Sequence, residues 1–201
     1  MARTRLVLWI LVALAAIGYG VLALTSDADP NRDGSRPDPD SAFSIGGPFT
    51  LVGADGEPFS SHRLAGRPKA VFFGFTHCPD ICPTTLADLV RLRQQLGGEE
   101  AFEIVFISVD PQRDGPEEVG RYAELFGTDI IGLTGSQPQL DKVMKQFGVA
   151  AILGENDGSG NYDVNHTANV FLIDRQGRFQ STISPEESDE AARAKLERLI
   201  G

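Results

Sequence analysis

Cys78 and Cys82 are the two cysteines of this 201-residue chain, and their spacing suits chemistry. They lie in residues 74–83, where a predicted strand ends and a predicted helix begins, a common place for sites in open α/β sheets. Pro83 suits the first position of a helix, so Cys82 is predicted to be the N-cap and Cys78 to lie in the preceding turn. Both sulfur atoms then reach one point above the helix N-terminus, where the helix dipole favours a thiolate.

The spacing of this cysteine pair allows more than one chemistry. A disulfide between Cys78 and Cys82 would close a very short loop, and short loops gain the least stability from a cross-link. A purely structural disulfide is therefore a weak explanation for the pair. Two thiolates form a soft chelate that suits Cu(I) or Zn. Dithiol oxidoreductases prefer two intervening residues, whereas three intervene here. Metal binding and redox exchange both stay open.

A histidine can complete a metal site with the cysteines, and the chain contains three. His62 lies in a polar loop and has little to connect it with the cysteines. His77 adjoins Cys78, but side chains of neighbouring residues on an extended backbone point apart. We therefore expect His77 to face solvent, which leaves His166 as the remaining candidate.

The hydrophobic pattern predicts the elements that position these residues. Continuous apolar runs indicate strands buried on both faces of a sheet, and apolar residues at helical spacing indicate helices between them. The predicted strands are 49–52, 57–60, 70–75, 102–109, 130–133, 170–173 and 178–181. Helices are predicted to begin near Pro83, Pro116, Ser136 and Ser184. This order indicates an α/β sandwich with a thioredoxin-like fold and an N-terminal hairpin.

His166 is predicted to have a functional role because of this topology. It follows residues 154–161, which are rich in Gly and Asn, and comes just before the predicted strand 170–173. In a thioredoxin-like sheet that strand lies beside the strand that leads to the cysteines. His166 is therefore expected to lie over the cysteine loop.

The N-terminal part of the chain predicts a membrane anchor. Residues 6–24 carry no charged side chain and would extend about 28 Å as a helix, close to the ~30 Å hydrocarbon core of a bilayer. Arg3 and Arg5 precede this segment and aspartates follow it, so residues 1–5 are predicted to stay in the cytoplasm and the remainder to be exported. A cleaved signal peptide is the alternative, but its apolar region is normally only ~7–15 residues long.

The rest of the chain divides into a tether and a folded domain. Residues 25–42 contain three prolines, several aspartates and almost no apolar side chains, so we predict a flexible tether there. The folded domain is predicted over residues 43–201, with many of the 12 phenylalanines available for its core. The net charge of −10 argues against a nucleic-acid partner, which favours a basic surface. No cysteine precedes Cys78, which excludes a lipoprotein.

Three segments of the sequence together resemble the Sco/SenC family of copper-handling proteins. The segments are 76–83 (THCPDICP), 108–114 (SVDPQRD) and 162–167 (YDVNHT). The resemblance runs from about Ser44 to the C-terminus, and it also implies a thioredoxin-like fold. Asn165 stands where the family usually has Asp, which would weaken the orientation of His166. Asp110 and Arg113 match the second segment, either as part of the site or as residues of a turn.

The resemblance also implies a function. It implies that Cys78, Cys82 and His166 bind copper, and that the protein delivers copper to the dinuclear copper centre of cytochrome c oxidase subunit II. In this interpretation the domain lies on the periplasmic side of the inner membrane, anchored by its N-terminal helix. An upstream copper donor or a thiol reductant would be a further partner. The sequence leaves open whether the copper is Cu(I) or Cu(II).

Two enzymatic hypotheses compete with copper delivery. A thiol–disulfide oxidoreductase would use the same cysteines to reduce those of a target protein, and an exported domain can rest with the pair oxidised. A peroxidase using Cys78 is supported by the predicted fold alone. Copper delivery is the preferred hypothesis, and it would make the protein a metal-transfer protein rather than an enzyme.

The charges flanking residues 6–24 predict the orientation of the chain in the membrane. We expect a reporter enzyme that works only after export to be active when fused after Gly201. The measurement is reporter activity in intact cells. Recovery of soluble protein cut near Ala28 would instead show that the segment is a signal peptide.

Overall fold

Strands and helices alternate through the computed structural model of the chain, which describes residues 45–154 and 162–201. The predicted N-terminal segments 1–5, 6–24 and 25–42 lie outside the described residues. So do residues 155–161, which make up most of the predicted Gly- and Asn-rich loop. Within the described part of the chain, no helix has both the length and the apolar character needed to cross a bilayer.

The described residues form one seven-stranded mixed sheet and a second sheet of two strands. In chain order the strands are β1 (Thr50–Gly53), β2 (Pro58–Ser60), β3 (Lys69–Gly74), β4 (Glu103–Ser108), β5 (Ile131–Thr134), β6 (Ala151–Leu153), β7 (Val164–His166), β8 (Val170–Ile173) and β9 (Phe179–Ile183). The large sheet has the order β2-β1-β5-β4-β3-β8-β9, with β3, β4 and β5 parallel and the other pairs antiparallel. Every predicted strand is present in this sheet, with small shifts at the ends.

Four α-helices cover the two faces of the large sheet in the described residues. They are α1 (Ile81–Gln95), α2 (Pro116–Glu124), α3 (Gln137–Phe147) and α4 (Asp189–Ile200). Buried side chains of α1, α2 and α4 pack with Phe72 and Phe106 on one face. Those of α3 pack with Phe73 and Ile107 on the other face, because successive residues of a strand point to opposite sides. The predicted α/β sandwich is confirmed.

The first of these helices begins before the position predicted for it. Asp80 is the N-cap of α1, so Cys82 lies within the first turn and is not the N-cap. Pro83 is consequently the third residue of the helix. A proline is tolerated throughout the first turn, because the N–H groups there have no partner within the helix. Pro83 therefore indicates a helix start without fixing its register.

The last helix begins after the predicted start at Ser184. Ser188 is its N-cap, and the Ser188 side chain accepts a hydrogen bond from the Ala191 N–H group. Ser184 instead takes part in a turn, in which its carbonyl accepts from the Glu187 N–H group at 3.0 Å. The prediction of the helix was right and the prediction of its first residue was wrong, because both segments carry N-capping residues.

The second sheet is an element that the hydrophobic pattern does not predict. Strands β6 and β7 have three residues each, and most of their side chains are only partly buried or exposed. Such short strands contain too few residues for an alternation of apolar and polar side chains to be recognised. His166 pairs with Ala151 in this ladder, so it ends a strand rather than lying in a loop.

The end of β3 makes room for the second cysteine because residue 74 is a glycine. A Cβ atom at Gly74 would lie 2.9 Å from the Sγ of Cys82, 3.0 Å from the Phe106 ring and 3.1 Å from the Phe72 ring. These distances are shorter than normal carbon contacts. The absence of a side chain at Gly74 therefore allows Cys82 to pack directly against the strand.

Substitution of Gly74 tests this packing. Gly74→Ala is expected to lower the free energy of unfolding by about 1–3 kcal/mol, because an extra methyl group overpacks a filled core. Urea unfolding measures the change. Gly115→Ala is the control: its Cβ would meet only the flexible carboxylate end of Glu118, and a loss of at most about 1 kcal/mol is expected from a poorer N-cap. Equal losses in the two variants would contradict the packing argument.

Candidate metal centre

The two cysteines lie on the connection between β3 and α1, at different depths. The Cys78 N–H group donates to the Phe75 carbonyl at 3.3 Å, which forms a turn directly after the strand. The Cys82 N–H group then donates to the Sγ of Cys78 at 3.4 Å. Cys78 is partly buried, whereas Cys82 is fully buried, and both are free thiols. The pair therefore consists of one accessible and one inaccessible sulfur.

The environment of Cys82 favours the neutral thiol. Burial raises the pKa of the Cys82 thiol well above its ordinary value; a backbone hydrogen bond at Phe75 opposes this shift, and Cys78 and Asp114 add to it. The expected preference for the thiolate at the helix N-terminus is therefore opposed by burial at Cys82. Removal from water disfavours the charge more than the first turn of α1 favours it.

His166 is brought to Cys82 by the pairing of β8 with β3. Phe72 lies opposite Val170 in this antiparallel pair, so the residues before β8 lie over the connection that follows β3. The Nε2 atom of His166 is 3.6 Å from the Sγ of Cys82. The His166 ring packs edge-on against Phe75 with the ring centroids 5.7 Å apart. The predicted position of His166 over the cysteine loop is thus the one observed.

The protonation of His166 suits a metal ligand. Its Nδ1 atom lies 3.0 Å from the Thr167 carbonyl oxygen, so Nδ1 carries the proton and donates it to that oxygen. The lone pair is then on Nε2, which faces Cys82. Burial lowers the pKa of His166, although the Thr167 bond opposes the shift, and this direction favours the neutral ring. Asn165 is exposed and is not the partner of Nδ1, so the hydrogen bond that orients the His166 ring does not involve it.

The distance between Cys82 and His166 fits a shared metal ion. With bond lengths of about 2.3 Å to sulfur and 2.0 Å to nitrogen, two ligands of one ion lie about 3.5 Å apart in tetrahedral geometry and about 3.7 Å apart in trigonal geometry. The observed 3.6 Å lies between these values. In residues 45–154 and 162–201 no three His, Cys, Asp or Glu side chains are already grouped closely enough to hold an ion. Cys78 is the other free thiol of this loop, and its side chain would have to turn toward the pair to join them on one ion.

The two other histidines lie elsewhere. His77 is half exposed; its Nδ1 is 3.0 Å from the Thr76 hydroxyl and 3.5 Å from an Asp114 carboxylate oxygen, in agreement with the expected solvent-facing position. His62 is exposed on the short 3-10 turn Ser61–Leu64, which follows β2 at the edge of the large sheet. Neither ring is placed against a cysteine sulfur.

A buried carboxylate that sequence reasoning missed holds the cysteine loop in place. Asp114 is fully buried and accepts three hydrogen bonds, from the Thr76 N–H group at 2.8 Å, the Thr76 hydroxyl at 2.6 Å and the Ser108 hydroxyl at 2.6 Å. It thereby ties the residues after β3 to the end of β4. The only signal for this role is its place in segment 108–114.

Asp110 and Arg113 form a turn, which is one of the two roles that the sequence allowed for them. The Asp110 carbonyl accepts from the N–H groups of Arg113 at 3.3 Å and Asp114 at 2.9 Å. The Asp110 carboxylate is fully buried and accepts from Nε of Arg113 at 2.5 Å. Tyr162, to which sequence reasoning assigned no role, donates its hydroxyl to the same carboxylate.

The motif segments of the sequence match a known family over most of the chain. The family model described as SCO1/SenC matches residues 37–201. The chain belongs to the SCO1/SenC family. The match includes every described residue, and so both cysteines, the turn at Asp110 and His166. The resemblance drawn from three short segments is confirmed.

Several SCO proteins are similar to this chain along its length. The SCO2-like protein RP587 of Rickettsia prowazekii is 36% identical over 177 residues, which cover 87% of this chain and 85% of the relative. The mitochondrial SCO2 homolog of Bos taurus is 34% identical over 192 residues, 94% of this chain and 72% of the relative. The structure of Bradyrhizobium japonicum ScoI with copper bound is 37% identical, covers 78% of this chain and 99% of that one, and has a TM-score of 0.69. These matches confirm the thioredoxin-like fold.

The different burial of the two thiols predicts different reactivity. Cys78 is expected to react with iodoacetamide at least about tenfold faster than Cys82 in the reduced protein, because attack requires an accessible thiolate. Mass spectrometry of the alkylated peptides measures both rates, with Cys78→Ser and Cys82→Ser as references. In urea the two rates should become similar. Similar rates in the folded protein would contradict the observed burial of Cys82.

Proposed function

We propose that this protein binds copper and delivers it to the dinuclear copper centre of cytochrome c oxidase subunit II. The observation that carries the proposal is the approach of Cys82 Sγ and His166 Nε2 to 3.6 Å, with a second free thiol, Cys78, four residues away. Cys78, Cys82 and His166 are the proposed ligands. Membership of the SCO1/SenC family supports a role in the assembly of cytochrome c oxidase.

The donor set supports copper as the bound metal. Two cysteine sulfurs and an imidazole are soft to intermediate ligands, which favour Cu(I) over hard cations such as Mg²⁺ or Ca²⁺. Imidazole also suits Cu(II), so the same ligands fit either oxidation state. The similar ScoI structure from Bradyrhizobium japonicum contains bound copper, and this supports the same metal here.

The surroundings of the ligands support transfer rather than permanent storage. An open groove of about 380 Å³ lies beside the proposed ligands, and Cys78 and His166 both line it. A partner's ligands can therefore approach an ion from the groove while Cys82 holds it from within the core. Exchange of ligands one at a time requires such an open side.

The proposed location of the domain follows from the N-terminal sequence. Residues 6–24 are proposed as an anchor in the inner membrane, with residues 1–5 in the cytoplasm and 25–42 as a tether. The domain, residues 43–201, would then lie on the periplasmic side, within reach of a membrane-bound oxidase. An upstream copper donor or a thiol reductant in the same compartment would prepare the site.

Thiol–disulfide exchange is a second candidate function. It is favoured by the accessibility of Cys78, a free thiol whose Sγ accepts a hydrogen bond from the Cys82 N–H group at 3.4 Å and which a target disulfide can reach. Reduction of the two cysteines of a target before copper insertion would use the same pair. This activity does not require His166, because thiols alone carry out the exchange.

Substitution of His166 separates the two functions. His166→Ala is expected to weaken Cu(I) binding by more than about 100-fold, because it removes a proposed ligand. This loss is larger than the one expected when a residue that only orients a ligand is removed. The variant gene replaces the natural gene in cells, and oxidase activity is measured at low and at high copper. Activity should be lost at low copper, as with Cys78→Ser or Cys82→Ser. It should recover when excess copper is supplied. Competition with a coloured Cu(I) chelator and oxidase assays measure the two effects.

His62→Ala and His77→Ala are the matched controls, because neither ring is placed against a cysteine sulfur. Both should bind Cu(I) and support the oxidase as the unmodified protein does. Full oxidase activity of His166→Ala at low copper would overturn copper delivery and favour the reductase. Equal losses for His77→Ala and His166→Ala would overturn the ligand assignment.

A further inference from the structure

We infer that Arg113 and Tyr162 are positioning residues that hold His166 at its place beside Cys82. This inference rests on the proposed function, in which His166 is a copper ligand. It assigns a role in metal binding to two side chains that do not contact the ligand atoms themselves. Its basis is the set of contacts that join the segment leading to His166 to the end of β4.

The segment that carries His166 has no strand partner in the large sheet among the described residues, although Val164 packs against the core. It forms β7, which pairs with β6 in a two-stranded sheet that shares no ladder with the large sheet among the described residues. Isolated two-stranded sheets are only marginally stable in water. At the far end of β7 the Thr167 N–H group donates to the Ala150 carbonyl at 3.0 Å, and the chain then enters β8. At the near end the Gly154 N–H group donates to the Asp163 carbonyl at 2.7 Å, and Tyr162, the residue before Asp163, is held by side-chain contacts.

Three different parts of Tyr162 are attached to the loop after β4. Its hydroxyl donates to the Asp110 carboxylate at 2.5 Å, and its carbonyl accepts from Nη1 of Arg113 at 3.1 Å. The guanidinium carbon of Arg113 also lies 3.7 Å from the centroid of the Tyr162 ring, within the range of a cation–π contact. Contacts to hydroxyl, carbonyl and ring face together fix both the position and the orientation of this residue.

The loop after β4 provides a rigid support for these contacts. Asp110 is fully buried, and its charge is balanced by Arg113, whose side chain is only 13% exposed. Arg113 also lies 5.7 Å from the centroid of the Phe75 ring, and the same ring packs against His166 with the ring centroids 5.7 Å apart. The segment from Tyr162 to His166 is thus contacted by Arg113 at its start and by Phe75 at its end.

The same geometry predicts what each substitution removes. Tyr162→Phe removes only the hydroxyl bond to Asp110. Arg113→Lys keeps a positive charge beside Asp110. The lysine cannot donate to both Asp110 and the Tyr162 carbonyl in the same planar arrangement, and it loses the stacking on the Tyr162 ring. Each variant is expected to weaken Cu(I) binding by about 10-fold, the lower end of the effect of residues that orient metal ligands.

Tyr122→Phe is the matched control for Tyr162→Phe. The hydroxyl of Tyr122 is also buried, but it has no hydrogen-bond partner among the described residues. Its removal should leave Cu(I) affinity within about 2-fold of the unmodified protein, since no contact that leads to His166 is lost. Competition with a Cu(I) chelator gives all affinities, and urea unfolding shows that each variant is folded.

A double-mutant cycle distinguishes positioning of His166 from a general structural effect. If Tyr162 acts through His166, Tyr162→Phe should have no further effect on Cu(I) affinity in a His166→Ala background. In the reduced protein without copper, the nuclear Overhauser effects between the rings of His166 and Phe75 should weaken in Tyr162→Phe and persist in Tyr122→Phe. An undiminished 10-fold loss in the His166→Ala background, or unchanged affinity and ring contacts in Tyr162→Phe, would overturn the inference.

These outcomes are separable from failure of the proposed function. If His166→Ala binds Cu(I) as tightly as the unmodified protein, the ligand assignment fails. The nuclear Overhauser effects between the rings of His166 and Phe75 then decide whether Tyr162 positions His166. If His166→Ala loses binding while Tyr162→Phe and Arg113→Lys keep it, the ligand assignment stands and the positioning role is excluded.

Discussion

The placement of β3 between β4 and β8 is the constraint on which the site depends. Parallel pairing with β4 brings the turn that contains Asp110 to the same edge of the sheet as the cysteine loop. Antiparallel pairing with β8 brings His166 to that edge from the opposite direction. Three segments far apart in the sequence therefore meet at one point. A change of register between β3 and β8 would move His166 away from Cys82 although every local element stayed intact.

Burial then sets the chemical state of the residues that meet there. Cys82 lies in the core behind Gly74, where burial raises the pKa of its thiol; burial also lowers the pKa of His166, and both shifts favour the neutral form. Two neutral, poorly hydrated donors at 3.6 Å offer little to a hard, strongly hydrated cation. They suit a soft ion that can displace the thiol proton. Cys78, on the rim, keeps the exposure that both metal transfer and thiol exchange need.

Two buried carboxylates stabilise the connections around this pair. Asp114 joins the residues after β3 to the end of β4, and Asp110 joins the same end of β4 to the segment before β7. Buried charges are tolerated when their oxygens are fully hydrogen-bonded or paired, and both conditions are met here. The hydrogen-bonded loop after β4 therefore acts as the common support for both halves of the site, while the proposed ligands come from the neighbouring segments.

The sequence by itself determined the elements of the large sheet, the presence of the helices and the family, because long apolar runs, helical spacing and short motifs are local properties. It also predicted Cys78, Cys82 and His166 as the metal ligands, and the approach of His166 to Cys82 supports that prediction. It did not determine the register of α1, since proline is tolerated anywhere in a first helical turn. Nor did it predict the small sheet, the pKa of Cys82 or the contacts of Tyr162. Only the tertiary structure decided these, because burial and contacts between segments some 50 residues apart depend on strand order and packing and leave no periodic pattern in the chain.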